Sequence, residues 1–229
     1  MVPIEAFRFN SAASITALAI GQAKAPLLVI DGVFADPAAA RDAAGQAGPA
    51  LAHAGDFYPG SRSPLPDAFH PAFADWLGTL LPGRAFASER NGFVSVVATL
   101  AADLLPIQTL PHFDTTDDAI FAAVIYLFDE GFGGTSFYRH RSTGIEMLSR
   151  GNEPIYRAAL RGEVADPASL PRRYRNGGDA LFERIHKQEP GFNRMVLYPG
   201  RLLHSGDIAP DFAGGGERLT ITALCRLKG

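Results

Sequence analysis

The sequence predicts a mainly β fold with flanking helices, a β-sandwich or barrel, on three observations. Beyond Gly92 the apolar residues fall into short strand-like runs separated by Pro and Gly turns. Two segments with helical spacing both lie within the first 82 residues, so helices and strands come in blocks, not in βαβ alternation. The 24 Gly and 17 Pro in 229 residues punctuate many short elements without reaching a low-complexity composition.

The elements follow in order. Residues 12–20 read as an N-terminal strand or half of a hairpin. Leu27-Leu28-Val29-Ile30-Asp31, closed by Gly32, reads as a strand. Asp36-Pro37 opens an Ala-rich helix reaching about Ala47, with Asp as N-cap, Pro at the first helical position and Gly48-Pro49 as the stop. Residues 57–64 are too rich in Pro, Gly and Ser for an element and read as an ordered loop. Pro66-Asp67 begins a second helix, in which Phe69, Phe73, Trp76, Leu77 and Leu80 recur at helical spacing before Pro82-Gly83 ends it. Strands are then expected at 93–100, 107–113, 120–128, 135–138, 193–198, 202–204 and 218–227, with a glycine-ended loop at 207–216. The long polar stretch between is expected to be helical over 179–187. The chain is therefore expected to form one domain, 1–229: a support of strand and helices at 1–90, a core of 91–138 and 193–229, and an insert, 139–192, too long for a turn and read as a lid.

Composition narrows the function classes. A net charge of −3 and the absence of a basic stripe give no footprint for nucleic acid. Cys225 is the single cysteine, which excludes an intrachain disulfide and a Cys-rich zinc site and fits a reducing, cytoplasmic compartment. No apolar run approaches the roughly 20 residues that span a bilayer. Ala23-Lys24-Ala25 has the form of a leader cleavage site, but Glu5 offsets Arg8 ahead of it, so a folded strand is the expectation there.

Among six histidines, His112 and Asp114 stand at i and i+2 on an extended run, which puts both side chains on one face. His204 follows 90 positions later at another strand end. His-x-Asp with a distant His is the sequence form of the facial triad of non-haem Fe(II) oxygenases: two imidazoles and a carboxylate cover one face of an octahedron and leave three positions open. Fourteen residues past His204 comes Arg218, with Thr220 on the same strand face; a guanidinium there can hold a carboxylate through two parallel hydrogen bonds. Two other readings use the same ligands: a metal-binding ligand-binding module without catalysis, and a zinc hydrolase needing a nearby base, for which Asp117 or Asp118 is the only suggestion.

Six short motifs in fixed order carry a resemblance. They are Pro111-His112-Phe113-Asp114, Val124-Ile125-Tyr126-Leu127, Gly133-Gly134-Thr135-Ser136-Phe137, Val196-Leu197-Tyr198-Pro199-Gly200, Leu203-His204-Ser205-Gly206 and Gly216-Glu217-Arg218-Leu219-Thr220. Over roughly residues 90–228 the chain resembles the Fe(II)/2-oxoglutarate-dependent dioxygenases, in particular their prolyl-4-hydroxylase-like branch. The resemblance implies a double-stranded β-helix (jelly roll, cupin-like) and a hydroxylase that consumes O2 and 2-oxoglutarate. It implies His112, Asp114 and His204 as iron ligands, Arg218 as the clamp on 2-oxoglutarate, and Tyr126 and Thr220 as hydroxyls for the same carboxylate. The substrate stays open among an amino acid, a peptide or protein side chain and a small metabolite. The insert departs from the family's short connection. His140 and Arg141, just past the strand end, are its first residues expected to face substrate.

Overall fold

A computed structural model describes residues 4–47, 58–129, 131–166, 168, 170–209, 212 and 218–229. Outside it fall Gly48-Pro49, His53, Phe57 and most of the glycine-ended loop at 207–216. Among the described residues, ten strands form two antiparallel sheets: β1 (Ser14–Ile20), β2 (Ala25–Asp31), β3 (Gly60–Pro64), β4 (Phe86–Val97), β5 (Ile120–Tyr126), β6 (Thr135–His140), β7 (Phe182–Gln188), β8 (Arg194–Pro199), β9 (His204–Gly206) and β10 (Arg218–Leu227). The larger sheet has the order β1-β2-β8-β5-β10-β4-β3 and the smaller β7-β6-β9. Helices α1 (Pro37–Gly45), α2 (Phe69–Leu80) and α3 (Glu153–Glu163) complete the described elements, with three short 3-10 turns.

The large sheet is covered on both faces, which is why its middle strands are apolar almost throughout. On β5, Ala123 and Ile125 face the helices and join Phe69, Phe73, Trp76 and Leu77 of α2 in one core. Ala122 and Tyr126 face the other way, packing with Phe137 of β6 and Val196 and Tyr198 of β8 between the two sheets. Strand β10 alternates in the same sense. Leu219, Ile221, Ala223 and Cys225 point to the helix side, and that leaves Arg218, Thr220 and Thr222 on the face toward the small sheet.

Local chemistry explains where expectation and structure meet and part. The Asp36 carboxylate accepts from Ala39 N at 3.0 Å and Pro37 opens α1, as capping predicts. The second helix starts at Phe69, later than Pro66, without a side-chain cap. Residues 60–64, expected as loop, form edge strand β3 paired with β4; its Pro64 lies at the edge, where a missing N–H costs no ladder bond. Residues 107–113, expected as strand, begin as a 3-10 turn over Pro106–Thr109. There Gln108 Oε1 accepts from Leu105 N and Thr109 Oγ1 donates to the Pro106 carbonyl. The run 179–187, expected as helix, holds all but the last residue of β7. Asp179 Oδ1 accepts from both Leu181 N and Phe182 N, so a side chain that resembles a helix cap closes a turn, and pairing with β6 takes the rest.

Candidate metal centre

Strand β9 begins at His204, whose backbone exchanges two hydrogen bonds with His112, N to O at 2.9 and 2.8 Å. This two-residue bridge sets the imidazoles side by side, ring centroids 4.2 Å apart. Asp114 N donates to the Gly200 carbonyl at 2.7 Å, which holds the segment beyond His112 against the turn after β8. The ligating atoms of His112, Asp114 and His204 all lie within 4.8 Å of one another. His204 Nδ1 donates to the Leu202 carbonyl at 2.8 Å, leaving its Nε2 lone pair toward Asp114 Oδ2, 3.7 Å away.

The electrostatics suit a cation. Burial lowers both histidines to about 4, so both are neutral donors at ordinary pH, and their mutual repulsion adds to the effect at His112. Burial raises the Asp114 carboxyl, against the lowering by His112 and Arg62. Two neutral imidazoles and one carboxylate, held by backbone bonds and lining one wall of a cavity, are a fitting donor set for a divalent metal with positions left open.

That cavity has a volume of about 510 Å3 and takes in the triad, Arg218, Thr220 and Thr222. Arg218 is 4% exposed. Its Nη2 donates to the Gly134 carbonyl at 2.8 Å and its Nε to the Phe132 carbonyl at 3.2 Å, while the guanidinium lies 5.4 Å from the Phe128 ring centre. Gly133 makes this possible: at φ 71° it passes so close to Asp207 that a Cβ would sit 1.5 Å from the Asp207 carbonyl oxygen. Among the described residues no carboxylate pairs with Arg218, so a buried cation faces the cavity with only carbonyl acceptors.

The other expected residues fall in different places. Thr220 lines the cavity, and its hydroxyl donates to the Ser95 carbonyl at 3.4 Å. Tyr126 is fully buried behind the wall and shares a 2.7 Å hydrogen bond with Thr135, which does line the cavity; burial pushes its phenol up to about 12. His140 and Arg141 are not among the lining residues. Strand β6 runs to His140 and pairs with β7, which places His140 inside the protein, Nε2 2.7 Å from Glu163 and Nδ1 2.9 Å from Thr143. Arg141 is exposed and donates to the Asp179 carbonyl. From the insert, Tyr174 and Arg175 line the cavity instead. Arg62, on β3, also lines it; a run rich in Ser and Pro gave no strand parity by which to find it. Asp117 pairs with Arg226 at 3.0 Å and Asp114 is the only acid among the described lining residues, so a hydrolytic base is missing there.

A family model described as a family of unknown function, DUF6445, matches residues 11–223, and the chain belongs to that family. No curated protein matches the sequence. Several solved structures resemble its chain path. HygX from Streptomyces hygroscopicus, with iron bound, shares 13% identity at a TM-score of 0.48, covering 87% of this chain and 81% of its own. The non-heme alpha-ketoglutarate-dependent epimerase SnoN from nogalamycin biosynthesis shares 13% at 0.44, covering 87% and 76%. An N-substituted L-amino acid dioxygenase from Burkholderia ambifaria shares 13% at 0.41, covering 89% and 86%. No described helix is long and apolar enough to cross a membrane.

Proposed function

We propose that the protein is an Fe(II)- and 2-oxoglutarate-dependent dioxygenase with a double-stranded β-helix core of the prolyl-4-hydroxylase-like branch. It hydroxylates a C–H bond of an amino acid, a peptide or protein side chain, or a small metabolite. The observation that carries this reading is the buried Arg218, unpaired with any carboxylate among the described residues, in the same cavity as a His-Asp-His cluster. A metal-binding module without catalysis has no need of that inward cation, and a zinc hydrolase needs a base that the described lining lacks.

His112 Nε2 or Nδ1, His204 Nε2 and one Asp114 oxygen would hold the metal; when bound with 2-oxoglutarate and O2, iron supplies the C–H oxidation. The rest is the work of this chain. Arg218 binds the far carboxylate of the cosubstrate, and its fixed position sets how far the 2-oxo acid end reaches toward the triad. Thr220 and Thr135 offer hydroxyls to that carboxylate, Thr135 being oriented by Tyr126 behind it. Phe93, Ile107 and Tyr198 keep the walls apolar, which limits water at the reacting centre.

The test is succinate formation by the Fe(II)-loaded protein given 2-oxoglutarate under air. Slow succinate release without substrate, abolished in Asp114→Ala, is the expected result. No succinate above the Asp114→Ala background, with correct folding and full iron content, contradicts the proposal.

A further inference from the structure

We propose that strand β1 pairs with β1 of a second copy of this chain, antiparallel and about a two-fold axis, so that the large sheets of two copies join into one. Among the described residues the sheet edges are β1 and β3 in the large sheet and β7 and β9 in the small one. A sheet edge offers unpaired N–H and C=O groups, and proteins block unwanted pairing there with short strands, prolines, bulges and charges. Three of these edges carry such devices. Strand β3 is five residues long and ends in Pro64. Strand β7 bears Glu183, Arg184 and Lys187, and its register against β6 is broken between Phe137 and Tyr138. Strand β9 has three residues. Strand β1 has no such device. Its run Ser14-Ile15-Thr16-Ala17-Leu18-Ala19-Ile20 contains no charge, proline or glycine, and it pairs with β2 in unbroken register from Ser14 opposite Asp31 to Ile20 opposite Ala25.

Every second residue of an antiparallel edge strand directs both its N–H and its C=O outward. Among the described residues nothing pairs with that side of β1. Five of its seven residues are exposed, Ile15 at 37% among them. What β1 lacks identifies its occupant. An edge kept for a strand of another protein must still be stopped from pairing with its own copies, and that takes a charge, a proline, a bulge or a covering segment. With none of these among the described residues, the strand is fitted to its own copy. Antiparallel pairing of identical strands is isologous: one contact uses both β1 edges and closes as a dimer. With the two-fold at Ala17, Ile15 comes opposite Ala19 of the second copy and Thr16 opposite Leu18, a larger against a smaller side chain on each face. The net charge of −3 opposes this approach only weakly. Strand β1 lies at the end of the sheet opposite β3 and β4, which contribute to the cavity, so pairing takes place away from it.

Sedimentation velocity on the full chain from about 1 to 300 µM, joined to residue-resolved hydrogen exchange, tests the pairing. Wild type is expected to form a dimer within that range. In the dimer all the amides of β1 are expected to exchange as slowly as those of β2, because the outward-facing ones are then bonded as well. Thr16→Lys and Ala17→Lys each place a charge at the middle of the edge, one on either face. Both variants are expected to stay monomeric throughout, to keep the wild-type circular dichroism spectrum, and to show fast exchange at every second residue of β1. A wild-type protein that is monomeric at the top of the range overturns the proposal and leaves the edge to another partner. A dimer in which every second amide of β1 still exchanges fast, or folded lysine variants that dimerise like wild type, also overturns it, since the contact then lies elsewhere. The wild-type exchange pattern decides even if neither variant folds.

Discussion

Arg218 gives the sharpest expectation at the scale of single residues. Its guanidinium is buried, oriented by the Gly134 and Phe132 carbonyls and directed into the cavity. Arg218→Ala is expected to weaken 2-oxoglutarate binding by about 2–5 kcal/mol, since it strips a desolvated carboxylate of its cation, and to leave metal content unchanged. Equilibrium dialysis with 2-oxoglutarate, beside metal analysis, checks both halves. The residues of the triad could be found in the sequence because i and i+2 on an extended chain share a face, and because His204 and Arg218 each follow a recognisable turn. Arg62, Thr135 and Tyr174 could not be assigned in the same way. Their places in the cavity lining depend on which segments become neighbours, and one sequence does not state that.

At the scale of elements, strands that bury both faces were legible and those that owe their form to a partner were not. Residues 120–126 and 218–227 are apolar or alternating enough to declare themselves, whereas β3 and β7 are polar and become strands by pairing with β4 and β6. The hairpin of β1 and β2 shows a further dependence on distant residues. Glu146, 3% exposed at its side chain, accepts from Gln22 N at 3.0 Å and Ala23 N at 2.9 Å in the hairpin turn, and from Arg139 Nε at 2.8 Å. Burial raises its carboxyl, but the bonds from Ala23, Arg139 and Gln22 outweigh it and hold the group below its ordinary 4.5. A carboxyl depressed on folding stabilises the protein above its unfolded pKa and loses that contribution as pH falls through the folded value. Glu146→Gln is therefore expected to cost about 3 kcal/mol at neutral pH, and the gap from wild type should close as pH falls below the ordinary 4.5 and through the lower folded value. Urea denaturation of both proteins across that range measures it.

Across the whole molecule, helices α1 and α2, the large sheet and the small sheet form successive layers, with α3 packed against Tyr138 and Phe182 of the small sheet, and the cavity lies on the small-sheet side of the large one. The insert, 139–192, divides between scaffold and rim. Its end supplies β7, while Tyr174 Oη donates to the Thr99 carbonyl at 2.7 Å and Arg175 Nε to the Thr109 carbonyl at 3.0 Å, tying the connection between α3 and β7 across to the segment before His112. We propose that this connection is the lid. Among its described residues few backbone bonds hold it, so its amides are expected to exchange faster than those of β5, β8 and β10 and to slow when 2-oxoglutarate and substrate bind. Hydrogen exchange that is as slow in 164–181 as in β5 of the free protein would assign the segment to the scaffold instead. The central claim, that His112, Asp114 and His204 hold Fe(II) and Arg218 the cosubstrate beside it, has one most direct measurement. Under anaerobic conditions Fe(II) protein is titrated with 2-oxoglutarate and the visible metal-to-ligand charge-transfer band is followed. A saturable band in the wild type, absent in His204→Ala and displaced to much higher 2-oxoglutarate in Arg218→Ala, is predicted. A wild-type protein that binds Fe(II) yet develops no band at any concentration of 2-oxoglutarate would contradict the account.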